Sequence, residues 1–121
     1  MIGSPFATIL EDLVRAVPGA DGAIFIDWEG EAVDAFSPAD EDRMRLIGAH
    51  WGIIYNQSRN ACDKIGIGAP FELLLRFEDQ QVIIRHVTDE YLAIVTLDRG
   101  ANLGRALGLM RTMEARLREE M

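Results

Sequence analysis

The chain contains one cysteine, Cys62, so no internal disulfide can form and no cysteine cage can hold a metal; a reducing compartment fits. It also has one lysine. Lys64 precedes Ile65-Gly66 and no Gly-x-x-x-x-Gly-Lys-Ser/Thr run occurs, which removes a Walker-type phosphate loop. No apolar run approaches the roughly 20 residues of a membrane helix, and the N-terminus lacks the basic start and apolar block of a signal peptide. The expected location is therefore the cytoplasm. Basic residues are few: 12 Lys and Arg stand against 20 Asp and Glu, and a net charge of -8 repels nucleic acid and anionic membranes. The one basic cluster, Arg111, Arg116 and Arg118, is interleaved with Glu114, Glu119 and Glu120, as on a solvated helix face. No repeat, low-complexity tract or linker interrupts the chain. With 121 residues, 49% of them hydrophobic and 26% charged, it reads as a single globular domain over residues 1–121.

Catalytic groups are equally scarce. A nucleophile dyad would need Cys62 or a serine beside His50 or His86, yet Cys62 and His50 lie about three turns apart on one predicted helix, at about 1.5 Å per residue, too far to hydrogen-bond. His86 alternates with Arg85 on a predicted strand and is expected at solvent or at a subunit surface. Asp40, Glu41 and Asp42 could suggest a metal site. They suit the first turn of a helix better, because successive helical residues do not converge on one ion and no histidine lies near. No catalytic residue, cofactor or metal is expected, and the chain is not expected to be an enzyme.

What is present begins with an amphipathic helix. Ile9, Leu10, Leu13, Val14 and Val17 recur at helical spacing behind the capping pair Ser4-Pro5, and Pro18-Gly19 ends the run. Ala23 to Trp28 reads as a strand, Gly30 supplies the positive φ of a hairpin turn, and Ala32 to Phe36 returns. A long second helix runs from about Asp40 to Cys62. After the loop Gly66 to Pro70 come strands Phe71 to Phe77, Gln80 to Val87 and Tyr91 to Leu97. The closing helix starts near Asp98 to Asn102 and turns Leu103, Ala106, Leu107, Met110, Met113 and Leu117 to one side, with Gly104 and Gly108 placed for close packing.

Three segments, Val17-Pro18-Gly19-Ala20-Asp21-Gly22-Ala23, Ile26-Asp27-Trp28-Glu29-Gly30-Glu31-Ala32 and Asp98-Arg99-Gly100-Ala101-Asn102-Leu103-Gly104-Arg105, resemble the roadblock family of dynein light chains and bacterial small-GTPase regulators. That family includes the gliding-motility GTPase-activating partner. The resemblance spans about Phe6 to Leu117 and rests on the order and spacing of the motifs. It implies an α+β fold, roadblock/profilin-like, with the order α-β-β-α-β-β-β-α and a five-stranded antiparallel sheet carrying helices on both faces. It also implies a homodimer in which second helices pack together and the third strand pairs with its copy.

The second helix is the place to look for a partner. Met44, Ile47, Trp51, Ile54, Tyr55 and Ser58 share one side, expected to cover the sheet, whereas Leu46, Ala49 and Ile53 fall nearly opposite. Isolated surface apolars are common, but three together form a patch that a partner could cover. Arg45, Leu46, Ala49, Ile53 and Gln57 are the expected contacts to a Ras-like small GTPase, whose hydrolysis the chain would modulate. A non-catalytic dimeric scaffold in a multiprotein assembly is the alternative, and a ligand-binding sensor would need an internal pocket that Phe25, Trp51, Ile54 and Tyr55 look large enough to fill. Arg43, Arg45 and Arg59 are the arginines near this surface, with plain solvation as their other role.

Gly48 and Gly52 each lose about 1 kcal/mol of helix propensity relative to alanine, which is understandable if another backbone comes close. The resemblance assigns them to a helix-to-helix dimer contact; drift in a helix held by its core face is the other reading. Phe71, Leu73, Leu74 and Leu75 are the remaining expected dimer residues: the resemblance implies that their strand lies at the edge of the sheet, and an apolar, unprotected edge is an aggregation hazard unless it is paired.

Overall fold

The computed structural model describes residues 4–121. The domain assignment over 1–121 and the reading of the N-terminal start also include Met1 to Gly3, which lie outside the described residues.

The chain opens with α1, Pro5–Ala16, whose N-cap Ser4 accepts a hydrogen bond from the Ala7 N–H at 3.2 Å while its own hydroxyl donates to Asp34. β1, Ala20–Asp27, begins three residues earlier than its apolar run predicts, because the backbone enters the ladder as soon as Gly19 (φ 91°) has turned the chain. The hairpin tip is built around Asp27, whose carboxylate accepts from the N–H groups of Glu29 and Glu31, with Gly30 at φ 89°. β2, Ala32–Phe36, returns where expected. Trp28 falls in the tip, not in the strand, and is exposed.

Asp40 caps α2, Glu41–Lys64, by accepting from the Arg43 N–H at 3.0 Å; the acidic triplet thus begins a helix. β3 is Glu72–Arg76, shorter than predicted, because Phe71 and Phe77 each keep one ladder bond but leave the regular strand. β4, Gln80–Thr88, β5, Tyr91–Asp98, and α3, Leu103–Glu119, complete the order α-β-β-α-β-β-β-α.

The five strands lie in the order β2-β1-β5-β4-β3, all neighbours antiparallel. Ala23 and Phe25 face α1 and α3, whereas Ile24 and Ile26 face α2, so the strand is apolar on both sides. α1 and α3 cover one face together: Arg105 donates to the Ala16 carbonyl at the end of α1, and Arg116 pairs with Asp12 at 2.9 Å. α2 alone covers the other face, over β1 and β2 and the near side of β5. β2 therefore ends one edge of the sheet between helices, and β3 ends the other.

Two glycine expectations are corrected. Gly48 and Gly52 are buried against the sheet of their own chain: a Cβ on Gly48 would stand 2.7 Å from Ile24 Cδ1, and one on Gly52 2.8 Å from Ile26 Cδ1. The backbone approach they allow is helix to sheet, not helix to helix. Gly104 and Gly108 lie on the exposed side of α3, and a Cβ on Gly108 would meet nothing within 4 Å, so neither serves close packing.

Candidate interaction surface

The glycines set the phase of α2. Met44, Gly48, Gly52 and Tyr55 are its buried residues, which turns the helix so that Ile54 comes to the surface and Ile47 and Trp51 to its flank. The predicted core stripe, centred on the larger apolar residues, is displaced accordingly. Tyr55 fixes the far end of the helix: its hydroxyl donates to the Pro70 carbonyl at 2.8 Å. Burial raises its pKa, with Arg59 opposing that rise and Asp89 and Cys62 adding to it.

The solvent face of α2 carries Leu46, 61% exposed, and Ile53, 56% exposed, seven residues apart and therefore two turns along one side, with Gln57 one further turn on. Ala49 is half-buried instead, its Cα within 3.5 Å of the position a Gly30 Cβ would take, so the hairpin tip covers it. Arg45 stands on that same flank and reaches Asp34 of β2 at 3.9 Å. Leu46, Ile53 and Gln57 thus share the open face, and Ala49 and Arg45 border it.

On the opposite flank the apolar surface continues. Trp51 and Phe77 have ring centroids 5.7 Å apart, and Leu73 and Leu75 pack half-buried against the α2-side core. Beyond them β3 presents its free edge. Phe71 is 78% exposed, and Ile65 and Ile67 of the preceding loop are exposed as well. Leu74 points to the α1/α3 side and is 41% exposed. On that side Arg85 of β4 joins Glu72 of β3 at 2.8 Å to Glu114 of α3 at 2.6 Å. Burial would lower the Arg85 pKa, but its hydrogen bonds to the two carboxylates outweigh that and raise it. Sequence reasoning missed this three-element ion cluster, because Glu72, Arg85 and Glu114 lie far apart in the chain and no local pattern brings them together.

His86 lies 3.2 Å from Asp89, which also receives Arg59, and His50 is exposed on α2. An open cleft of about 470 Å³ lies where α2 begins, lined by Asp21, Ser37, Asp40, Arg43 and Thr96 among others. Burial and then the neighbouring Asp98 carboxylate raise the Asp21 pKa. Among the described residues, no cluster of three His, Cys, Asp or Glu side chains is placed to hold a metal, and no helix is long and apolar enough to cross a membrane.

The family model of the Roadblock/LC7 domain matches residues 7–96. The chain belongs to the Roadblock/LC7 domain family. No protein of curated function matches it in sequence. Among solved structures, a Roadblock/LC7 domain from Streptomyces avermitilis superposes with a TM-score of 0.86 at 17% identity, over 93% of this chain and 94% of that one. The gliding protein MglB from Thermus thermophilus gives 0.86 at 16% identity over 99% and 93%. MglC from Myxococcus xanthus, at 26% identity, gives 0.71 over 98% and 100%. Schizosaccharomyces pombe profilin gives 0.58 at 10% identity over 93% and 95%, so the layered roadblock architecture has a profilin-like outline.

Proposed function

We propose that this roadblock domain is a homodimeric regulator of a Ras-like small GTPase, binding it across the outer faces of paired second helices and modulating its GTP hydrolysis. The observation that carries the reading is the outer face of α2, where Leu46 and Ile53 stand in water two turns apart on one side. Leaving each exposed forgoes about 1.5–3 kcal/mol of burial, a surface that makes sense once covered. The likeness to MglB structures supports the same reading. A reactive constellation of the chain's own is not required, since a regulator can act by selecting the active geometry of its partner.

Two of the three arginines near this surface are engaged at home: Arg45 with Asp34, and Arg59 with Asp89. Arg43 is exposed at the start of α2. Modulation by holding the GTPase's own residues in place therefore fits better than an arginine inserted in trans. The homodimer is proposed on the free β3 edge, which continues the apolar surface of α2.

The test is retention on the immobilised protein of a small GTPase from lysate loaded with a GTP analogue or with GDP. GTP-selective retention that is lost in Ile53→Arg is the expected outcome. Retention of other proteins regardless of nucleotide would replace the regulator with a scaffold.

A further inference from the structure

Where α2 starts, the sheet runs on beyond it. Leu92, Ile94 and Thr96 are alternate residues of β5, and the first two pack in the α2-side core. Met44 is the first buried residue of α2, and past it Thr96 comes up beneath the cleft of about 470 Å³, itself 1% exposed. Its β1 partner Gly22 brings no side chain, and a Cβ there would stand 2.8 Å from Met44 Sδ. We infer that this cleft is a binding site for an alkyl cation, an ammonium or guanidinium group on a short hydrocarbon stem, either free or as the side chain of a lysine or arginine.

The buried hydroxyl is the first reason. Among the described residues, the one partner of Thr96 Oγ1 is the Met44 sulfur at 3.9 Å, and a thioether is a weak acceptor. The lone pairs of the hydroxyl oxygen receive no donor there, at a depth where an unmade hydrogen bond is costly. An N–H group entering the cleft supplies that donor.

Charge is the second reason. The lining includes the carboxylates of Asp21, from β1, and of Asp40, the N-cap of α2. Asp40 accepts from the Arg43 N–H through Oδ1 and keeps Oδ2 for a ligand. Glu41 and Asp42 follow in the first turn, so the helix start, which would otherwise favour an anion, is screened by acids. Asp21, whose pKa burial and then Asp98 raise, is a carboxylate short of positive charge. Arg43 is the one cation in the lining and is exposed, so two carboxylates stand against one guanidinium.

Met44 and Ile47 give the cleft an apolar wall, on which the methylenes of a basic side chain can lie while its head stays with the acids. The opposite wall is fixed by Ser37, whose hydroxyl donates to the Asp21 carbonyl at 3.0 Å and accepts from the Ala39 and Asp40 N–H groups at 3.3 Å. An apolar side with a few placed polar groups is the usual make-up of a small-ligand site.

Amide NMR of the full chain, titrated with n-butylguanidinium at low salt, tests the site. Saturating shifts at Asp21, Thr96 and residues 37–44 are expected, with a Kd on the order of 1 mM, and none with butyrate or butanol. Asp21→Asn, and Asp40→Asn, which keeps the cap, should each weaken binding at least about fivefold, and Thr96→Val about threefold. Arg43→Gln should tighten it about twofold, a change of opposite sign that loss of folding does not produce. Butyrate binding in the cleft would assign it to Arg43 and the helix start, and butanol binding as well as the cation would make it a plain apolar pocket. Either result overturns the inference, as do shifts confined to other residues, no binding, or a Kd unmoved by the variants. N-acetylarginine amide separates the two sources. Binding at least as tight as the free probe assigns the cleft to a side chain of a protein partner, and weaker binding or none assigns it to a free small molecule.

Discussion

At Gly48 the missing Cβ keeps α2 seated on the sheet. An alanine there would press on Ile24 at two atoms, Cδ1 at 2.7 Å and the branched Cγ2 at 2.9 Å, and the branch cannot swing away as a side-chain tip can. Gly48→Ala should therefore destabilise the fold by about 1–3 kcal/mol in urea unfolding, in spite of its better helix propensity. Gly52→Ala meets only the tip of Ile26 and should lie closer to neutral. Gly108→Ala, with nothing within 4 Å, should stabilise by up to about 1 kcal/mol. An order in which Gly108→Ala is the most harmful of the three would contradict this account. Asp21 supplies a pH-dependent contribution of the opposite kind to most carboxylates. Burial and then Asp98 raise its folded pKa, so the folded state holds the proton more tightly. Its contribution is fully present below the unfolded pKa and is lost as pH rises through the folded one. Asp21 is exposed, which keeps the effect small. Thermal melts should show Asp21→Asn gaining on the parent protein between pH 3 and pH 7, and an unchanged difference would remove Asp21 from the pH profile.

Between elements, the Arg85 cluster joins β3, β4 and α3 through two short ion pairs with side chains less than about one-third exposed. Removing the guanidinium leaves Glu72 without a counter-ion and Glu114 with only the more exposed Arg118, at 3.1 Å. Arg85→Met should cost about 1–3 kcal/mol, which equilibrium unfolding in denaturant measures; a change below the error of the method would mean that water satisfies the two acids. The identity and order of the elements were legible in the sequence because each carries a local cause. Ser4 and Asp40 cap helices, Gly19 and Gly30 take positive φ, and β1, β4 and β5 are apolar runs of strand length. Strand ends were less legible, since β1 gains Ala20 to Gly22 from its ladder with β5, a non-local cause. The rotational phase of α2 was not legible either. Stripe counting scores glycine as featureless, whereas the packed helix puts Gly48 and Gly52 at the contact and turns Ile54 outward.

For the whole molecule the asymmetry between the two sheet faces matters most. Two helices cover one side and one helix the other, so the β3 end keeps an open strand edge with apolar residues on it. Such an edge is stable in solution when it is paired. Sedimentation equilibrium is expected to give a dimer for the parent chain, and Leu74→Lys, which sets two ammonium groups against each other in a symmetric edge joint, should shift it to monomer without unfolding it. An unchanged dimer mass would move the interface elsewhere.

The sequence by itself determined the number, type and order of elements and the family resemblance, because caps, turn glycines and hydrophobic period are local properties of the chain. It also placed Leu46 and Ile53 away from the core, since their position opposite the main apolar stripe of α2 does not depend on what that stripe packs against. Tertiary structure decided the rest. Which face the helix glycines meet, which acids share Arg85, whether Ala49 is open or covered by the hairpin tip, and which strand is left at the bare edge all depend on residues far apart in the chain being brought within a few ångströms.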